Sequence, residues 1–299
     1  MKKDIFSWLH VKKDNPSLAH SDVTSVTLQE NQIEGFPANV QRIDPQQLIY
    51  GCGQSIGKQR DHNEDSVFAL SIAIGGEKSS YPLGLYVVAD GMGGHQYGEV
   101  ASSVAARTLA GYLLKHFVPY LVNPSSGMDE SLQDLMRSAI NDAQQAVTQA
   151  APGSGTTLTA ALVLGQQMTI GHVGDSRAYA IHQGGGEPLT RDHSLVKRLE
   201  ELGQISSKEA AVHPQRNVLY RALGQGEVLE PDIFTAPFPQ SGYLLLCSDG
   251  LWNVLADSTI FKIVTSARDL QSACQSLVDA ANEAGGPDNI SVIVVQLKT

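Results

Sequence analysis

The chain has 299 residues, of which 42% are hydrophobic and 17% charged, enough to bury one large core or two ordinary ones. Its 31 acidic residues outnumber its 21 basic residues, and the formal net charge is −10. Such a surface repels the phosphate backbone of nucleic acids, which argues against a general nucleic-acid-binding function. A local phosphate site is still compatible with this charge, because one or two arginines can hold a phosphate.

The three cysteines, Cys52, Cys247 and Cys274, lie far apart in the sequence. They match neither the paired spacing of a zinc site nor an even set of disulfides, which indicates a reducing cytoplasm. The basic N-terminal stretch lacks the apolar run and cleavage pattern of a signal peptide. No segment approaches the roughly 18 apolar residues of a membrane helix, so we expect no membrane insertion.

Residues 1–46 are mixed in composition, contain several prolines and show little periodicity. We interpret them as a tail or partly ordered extension, in which residues 23–29 predict one edge strand. From residue 47 to 299 the pattern is that of a globular domain.

Within that domain, strands come first, two long helices follow, and further strands come after them. The predicted strands are QQLIYGCGQ (46–54), SVFALSIAI (66–74), LGLYVVAD (83–90), TTLTAALVL (156–164), QMTIGHVG (167–174), SRAYAIH (176–182), YLLLCSDG (243–250) and NISVIVVQL (289–297). The glycines at 184–186 predict a hairpin turn. This order favours an α+β fold with layered, largely antiparallel sheets.

Three helices are predicted from apolar residues at helical spacing, and these stripes are typical of core packing. The stripes are Val100, Val104, Leu109, Leu113 and Phe117; Leu132, Leu135, Met136, Ala139, Ile140, Ala143 and Val147; and Leu270, Ala273, Cys274, Leu277, Val278 and Ala281. Residues 191–230 differ, with a charged helix followed by a looser stretch. We interpret them as a candidate flap or lid.

Four aspartates fall at the ends or mouths of apolar strands: Asp90, Asp175, Asp249 and Asp288. A single aspartate in such a place is usually a turn residue or helix cap. Four are harder to explain separately, because each carboxylate beside a core requires a cation or hydrogen bonds. If they converge, they form a cluster of oxygen ligands without Cys or His, which suits Mg²⁺ or Mn²⁺ rather than zinc.

The segment RDHNEDSVF, residues 60–68, places several charged residues directly before an apolar pair. Its alternating acids resemble the start of an EF-hand loop, but Ser66 and Ile72 occupy the positions that require Gly and Glu. A solvated turn before a strand and a contribution to a metal site both remain open for this segment. The glycines that follow Asp90, beginning with Gly91, would let the backbone approach a ligand closely, and a carbonyl there could coordinate a metal.

Other chemistries fail on sequence context. GQSIG at 53–57 fits a serine nucleophile elbow, but KQRDHNED follows it instead of a helix. GCGQSI lacks the last glycine of a dinucleotide-binding loop, and GKQ lacks the residues of a P-loop. No cysteine has the arginine spacing of a cysteine-dependent phosphatase. If the protein is a phosphatase, a metal activates its nucleophile.

Eight segments in order carry a resemblance to a known family: RDHNED, VADGMGGHQYGEVA, GTTLTAAL, HVGDSRAY, LTRDHSLV, HPQRNVLYRALG, LLLCSDGLW and GPDNISVIVV. They resemble the metal-dependent serine/threonine protein phosphatases of type 2C, in their bacterial form. The resemblance covers about residues 47–299, the expected catalytic domain, and includes 191–230 as the flap. It implies a four-layer α-β-β-α sandwich, with two antiparallel sheets flanked by helices and a two-metal Mn²⁺ or Mg²⁺ centre at one end.

The resemblance also implies residue roles. Asp90 would bridge both ions, the Gly91 carbonyl would bind one of them, and Asp249 and Asp288 would hold the other. Glu64 and Asp65 would act through metal-bound water, and Asp175 would hold a third ion. Arg60 would bind the phosphate of the substrate. The other residues of this segment would be Asp61 and His62 as solvated spacers and Asn63 as a turn former.

Two ions about 3.5–4 Å apart share a water and lower its pKa, so hydroxide is present near neutral pH. This hydroxide would attack phosphorus in line, in one step and without a phosphoenzyme. Arg60 would offer its planar fork to two phosphate oxygens. The repulsion among the acids is tolerable because bound cations neutralise them.

Some eukaryotic relatives carry a histidine, proposed as the general acid, where this chain has Met92. Methionine has no proton to give, so the proton would come from water, from a metal-bound water, or from His95 or His193. Nothing in the sequence chooses among these proton donors.

The other motif residues have structural roles. We expect Arg177 to form a structural ion pair and Trp252 to lie in the core. We expect Thr156 and Thr157 to be strand residues with hydrogen-bonding hydroxyls.

We therefore expect a protein phosphatase that hydrolyses phosphoserine and phosphothreonine and counteracts a Ser/Thr kinase, acting as a cytoplasmic monomer. Two alternatives remain. The substrate could be a small phosphate ester or a phosphorylated anti-anti-sigma-type regulator, since substrate choice lies in the surface and the flap. The protein could also be a non-catalytic phosphoprotein-binding pseudophosphatase, which a missing metal ligand would favour, and none is missing.

Overall fold

The computed structural model describes residues 46–75, 80–93, 97–122, 130–226 and 229–298. Residues 1–45 of the expected extension, with the edge strand at 23–29, lie outside this description. The strands are β1 Gln47–Ser55, β2 Asp65–Gly75, β3 Ser80–Met92, β4 Gly155–Thr156, β5 Leu158–Leu164, β6 Gln167–Val173, β7 Arg177–His182, β8 Gly185–Pro188, β9 Asp232–Pro237, β10 Tyr243–Cys247 and β11 Ile290–Lys298. The helices are α1 Tyr97–Val122, α2 Leu132–Ala150, α3 Leu195–Glu201, α4 Ser207–Ala211, α5 Asp249–Trp252, α6 Asp257–Ser266 and α7 Leu270–Glu283.

The strands form two antiparallel sheets. The first has the order β1-β11-β10-β7-β8, and the second has the order β2-β3-β5-β6-β9, with β4 paired to the end of β3. Side chains of β3 alternate between the two faces of the second sheet. Tyr86 and Val88 point into the core between the sheets, whereas Leu85 and Val87 pack against the helices outside.

Helices cover the outer face of each sheet. The α1–α2 pair packs on the second sheet through the buried stripe that begins at Leu135, and α6 and α7 pack on the first sheet around Leu277. Three hydrophobic clusters therefore separate four layers. The α+β fold expected from the sequence, an α-β-β-α sandwich with antiparallel sheets, is confirmed.

Most predicted elements are present, and the differences have local causes. Every apolar residue predicted for the last helix is buried in α7. Val100 is 37% exposed, because it lies beside the buried stripe of α1 that begins at Ala101 and not within it. The sequence analysis missed β9, a short edge strand, and α6, whose sequence DSTIFKIVTS is rich in β-branched residues that weaken a helical signal.

The candidate flap is folded against the end of the second sheet. Its segment contains α3 and α4, which begin at the N-caps Ser194 and Ser206. A bridge between Ser194 and Leu219 closes the base of this segment, and a second bridge joins Leu223 to Thr156 at the end of β4. The segment is thus anchored beside the strand ends that carry the predicted site. None of the helices in the described residues is both long and apolar enough to span a membrane.

Candidate active site

The pairing of β2 with β3 brings the first acidic residues together. Asp65 is the register partner of Asp90, and the amide of Gly91 donates to the carbonyl oxygen of Glu64 at 3.1 Å. A Cβ on Gly91 would collide with the backbone of Gly98 at the start of α1. Glycine therefore allows this helix to approach the strand end closely, and it leaves four predicted site residues side by side.

The first sheet supplies two more acids at the same end. Asp249 begins α5 directly after β10, and Asp288 lies just before β11. The amide of Ser248 donates to the carbonyl oxygen of Ser291 at 3.0 Å, which joins these two strands at the site. The Ser248 hydroxyl donates to Oδ2 of Asp65 at 2.8 Å, so a single hydroxyl links the two sheets.

Asn289 fixes the loop that carries Arg60. Its side-chain Nδ2 donates to the carbonyl oxygens of Ile56 at 2.8 Å and His62 at 2.9 Å. Its Oδ1 accepts from the amide of Glu64 at 2.8 Å. One buried amide thereby sets the path of the loop from β1 to β2 and holds it against the start of β11.

Three hydroxyl groups connect Asp90 to Asp175. The amide of Asp90 donates to the Thr157 hydroxyl, and the Thr156 hydroxyl donates to the Asp90 carbonyl oxygen, both at 2.9 Å. Oγ1 of Thr157 lies 2.7 Å from Oγ of Ser176, the residue after Asp175. The hydrogen-bonding role predicted for both threonines is confirmed; Thr156 ends β4, and Thr157 lies between β4 and β5.

The electrostatics of the cluster are those of acids held close together away from water. The pKa of Asp65 is raised to about 7 and that of Asp249 to about 6, chiefly by burial and then by repulsion from other carboxylates. The same causes raise the pKa of Asp90 and Asp175 well above the usual range. Among the described residues, no hydrogen-bond partner lies near the buried Oδ1 atoms of Asp65 and Asp249. A bound cation would satisfy such atoms and lessen the repulsion among the carboxylates.

These residues fit hard divalent cations, because every available donor is an oxygen. In the described part of the chain, no three Asp, Glu, His or Cys side chains lie close enough to hold one ion by themselves. Mg²⁺ is commonly held by one or two carboxylates and several waters, so it does not need three such side chains for each ion. The residues that could hold the ions are the ones predicted from the sequence: Asp90, Gly91, Asp249 and Asp288 directly, Glu64 and Asp65 through water, and Asp175 for a third ion.

Arg60 lies at the rim of the cluster. Its Nη2 donates to Oδ2 of Asp288 at 2.7 Å, and both side chains remain partly exposed. Oδ1 of Asn63 accepts from the amide of Asp65 at 3.2 Å, which is the turn-forming bond predicted for this asparagine. The two residues interpreted as spacers, Asp61 and His62, are exposed.

A groove of about 740 Å³ runs from the cluster to the candidate flap. Arg60, Asp249 and Asp288 line its cluster side, and Lys197 and Arg216 line its flap side. Its size is in the range of ligand-binding clefts. A peptide in this groove would thus contact both the acidic cluster and basic residues of the flap.

Arg177 connects the base of the flap to the cluster. Its Nε and Nη2 donate to the two carboxylate oxygens of Asp192 at 2.9 and 2.7 Å, and Nη1 donates to the hydroxyl of Tyr179 at 3.0 Å. The guanidinium stacks 3.6 Å from the ring centre of Trp252, whose indole N–H donates to the carbonyl of Asp175. The predicted ion pair of Arg177 is confirmed. The prediction that Trp252 is a core residue is wrong, because it lies partly exposed at the edge of its cluster, where it contacts Arg177.

The sequence analysis did not identify Ser248, Asn289 and Ser176 as supporting residues. Each is the immediate chain neighbour of a predicted acidic ligand, in SDG, PDN and GDS. That adjacency was the available signal. Of the two histidines considered as proton donors, His95 lies outside the described residues. His193 is 1% exposed and lines a different cavity from the groove, which argues against that role.

A family model and a curated relative each match most of the chain. Residues 51–290 match the family model described as Protein phosphatase 2C. The chain is 38% identical over 246 residues to the serine/threonine phosphatase stp of Listeria monocytogenes, an alignment that covers 80% of this chain and 92% of the relative.

Solved structures give the same result. The serine/threonine phosphatase PstP/Ppp of Mycobacterium tuberculosis superposes with a TM-score of 0.70 and 33% identity, covering 85% of this chain and 100% of that one. A catalytic domain of PstP in complex with two manganese ions superposes with a TM-score of 0.68 and 30% identity, with the same coverage of 85% and 100%. The metal content of that structure agrees with the two-ion cofactor expected from the sequence. The chain therefore belongs to the protein phosphatase 2C family and is a serine/threonine phosphatase of that family.

Proposed function

We propose that this chain removes phosphate from phosphoserine and phosphothreonine in proteins by a single in-line hydrolysis that depends on two Mn²⁺ or Mg²⁺ ions. The observation that carries the proposal is the convergence of buried carboxylates from both sheets, two of which keep an unpaired oxygen. When bound, the ions would lower the pKa of a shared water and so supply hydroxide near neutral pH. We assign them to Asp90, the Gly91 carbonyl, Asp249 and Asp288.

The other site residues then act on the substrate and on water. Arg60 orients the phosphate, because its planar guanidinium can donate to two phosphate oxygens at once. Its present contact with Asp288 holds it at the rim of the cluster, next to the place where a phosphate would lie. Glu64 and Asp65 would hold ordered water beside the ions, and Asp175 would help to hold a third ion.

The groove between the cluster and residues 191–230 takes the peptide around the phosphorylated residue. In this role residues 191–230 form the flap of a catalytic domain that spans 47–299, and residues 1–46 form an extension to it. A Ser/Thr kinase must supply the substrate, because only such an enzyme creates phosphoserine and phosphothreonine. The three free thiols support a reducing cytoplasm, and we expect the protein to act as a monomer.

The test is phosphate release from a phosphothreonine peptide by the purified protein with Mn²⁺, with Mg²⁺ and with EDTA. The same assay is run on Asp249→Asn and on Asp279→Asn, an exposed aspartate of α7 that serves as a matched control. We expect turnover with metal, none with EDTA, loss in Asp249→Asn and full activity in the control. If small esters are hydrolysed and phosphopeptides and phosphoproteins are not, the protein-phosphatase assignment is overturned.

A further inference from the structure

A second cavity, of about 410 Å³, lies on the other side of the flap base. Three arginines, a histidine, a tyrosine and an aspartate line it, and it shares no lining residue with the catalytic groove. They are Arg191, His193, Arg198, Tyr220, Arg221 and Asp232. The volume is that of a pocket for a small ligand.

The two cavities share one wall. In the segment from 191 to 194, Arg191 and His193 line this cavity, whereas Asp192 and Ser194 line the catalytic groove. Side chains of extended backbone alternate between two faces, which explains the division. A ligand that fixes the side chains on one face of this wall therefore also fixes the backbone that carries the side chains on the other face.

His193 forms the buried part of the cavity wall, whereas Asp232 is partly exposed. Nδ1 of His193 accepts from the amide of Gly174 at 3.2 Å, and its Nε2 lies 3.2 Å from Oδ2 of Asp232 and 3.4 Å from Nη1 of Arg221. The backbone of His193 is bonded on both sides, to the Gly174 carbonyl at 2.7 Å and to the amide of Tyr220 at 2.9 Å. These bonds fix the position of His193 in the cavity wall.

The arginine side chains that line the cavity have more N–H donors than the neighbouring acceptor groups can satisfy. Glu201 accepts from Arg191 and also lies 3.9 Å from Nη1 of Arg198, so one carboxylate serves two guanidiniums. The Arg198 side chain is 54% exposed and makes no hydrogen bond to any residue in the described ranges. Arg221 lies within 3.4 Å of Asp232, Glu230 and Nε2 of His193. Three arginines and one aspartate thus line the cavity, and Glu201 and Glu230 pair with these arginines from outside the lining.

We propose that this cavity binds a phosphate dianion. Guanidinium groups donate two parallel hydrogen bonds to phosphate oxygens, and several arginines that converge on one space favour an anion with more than one charge. Inorganic phosphate and the phosphorylated side chain of a bound protein share this chemistry. A bound anion would hold the shared wall in place and so influence the groove on its other face.

The proposal is tested by binding without turnover. The experiment uses the full-length protein with Arg60→Gln, which removes the proposed phosphate-binding side chain of the groove. This protein is titrated by calorimetry with inorganic phosphate in the absence of metal. Arg198→Gln and Arg191→Gln are added separately, and Arg268→Gln, an exposed arginine on another surface, is the control. We expect at least a tenfold loss of affinity for each cavity variant and none for the control.

A second titration distinguishes the source of the phosphate. A doubly phosphorylated peptide is compared with its singly phosphorylated form in the same proteins. Tighter binding of the doubly phosphorylated peptide that Arg198→Gln removes assigns the cavity to a substrate side chain, whereas binding of inorganic phosphate alone assigns it to the free ion. Absence of binding for every probe at millimolar concentration, or binding that both cavity variants leave unchanged, overturns the proposal. Because no step requires metal or catalysis, this result is independent of the proposed activity.

Discussion

Asp65 and Asp90 lie directly opposite each other as register partners at the end of the β2–β3 pair. Like charges in this position destabilise a sheet, and Oδ1 of Asp65 is also buried without a partner. This repulsion therefore lowers the free energy of unfolding of the metal-free protein, and a bound cation would offset the loss. The loss should be measurable.

Replacing Asp90 with Asn removes one of the two opposed charges. We expect the metal-free protein to become more stable by about 1 kcal/mol, because a cross-strand repulsion is lost, while phosphate release from a phosphopeptide disappears. Urea unfolding in EDTA and turnover with Mn²⁺ measure the two effects. Asp279→Asn should change neither quantity. A less stable Asp90→Asn protein, or one that keeps its activity, would contradict the role assigned to this pair.

Arg60→Lys keeps the positive charge at the rim of the site and removes the planar fork. We expect kcat/KM for a phosphothreonine peptide to fall by about 10²-fold, because a point charge cannot donate to two phosphate oxygens in the same geometry. Metal affinity measured by calorimetry should stay the same. The neighbouring exposed residue Lys58 provides the control, and Lys58→Gln should retain full activity. Equal activity of Arg60→Lys and the wild type would remove Arg60 from phosphate binding.

Arg177→Met tests the ion pair at the base of the flap. The change leaves the carboxylate of Asp192 buried without its bidentate partner, so we expect the free energy of unfolding to fall by about 3 kcal/mol. Chemical denaturation measures this loss. Arg268→Met removes an exposed ion pair and should cost less than about 0.5 kcal/mol. Similar losses in the two variants would mean that burial of the Arg177 pair has no special effect.

His172 should make stability depend on pH. Burial, together with the nearby ring of His193, lowers the pKa of His172 from 6.5 to about 4. Between these values the unfolded chain binds a proton that the folded protein does not, so this residue reduces stability as pH falls from 6.5 toward 4. Its contribution reaches about 3 kcal/mol.

The comparison that isolates this effect is His172→Asn against the wild type, by urea unfolding at several pH values. Asp65 and Asp249 have raised pKa values and act in the opposite direction, but they do so in both proteins. The variant should therefore lose less stability than the wild type on acidification. Parallel pH curves for the two proteins would show that His172 takes up its proton equally in both states.

Two glycines allow a matched test of backbone approach. Gly91→Ala should lower both stability and activity, because the new methyl group would push α1 away from the strand end at Gly98. Gly111 has open space around its Cβ position in the same helix, so Gly111→Ala should stabilise the protein by about 0.5–1 kcal/mol. Thermal unfolding and phosphopeptide turnover distinguish these outcomes, and equal effects at the two positions would refute the steric explanation.

The acidic residues of the site could be predicted because a carboxylate next to an apolar strand is visible in the sequence itself. One aspartate at the end of an apolar strand can be a turn residue, but four in equivalent places, including Asp90 and Asp249, require a further reason. The layered α+β architecture was likewise predictable from the order of strands and helices, whereas the four-layer sandwich was implied by the resemblance to a family. These features depend on local patterns that a reader can see in one segment at a time.

The supporting contacts were not predictable, because they join segments that are distant in the chain. Asn289 lies 225 residues from the Glu64 amide that it accepts from, and Ser248 lies 183 residues from Asp65. The position of Trp252 in α5 was also missed, since its partner Arg177 comes from β7. A large aromatic residue usually indicates core, and only the tertiary contact shows that Trp252 also packs on a guanidinium.

The place of β11 between β1 and β10 has a consequence for folding. Asn289 at its start holds the loop before β2, and the neighbouring Asp288 belongs to the cluster itself. Until β11 is in place the second sheet can form, but β1 lacks its partner among the described strands and the acidic cluster is incomplete. Completion of the first sheet and completion of the site should therefore be one and the same folding step.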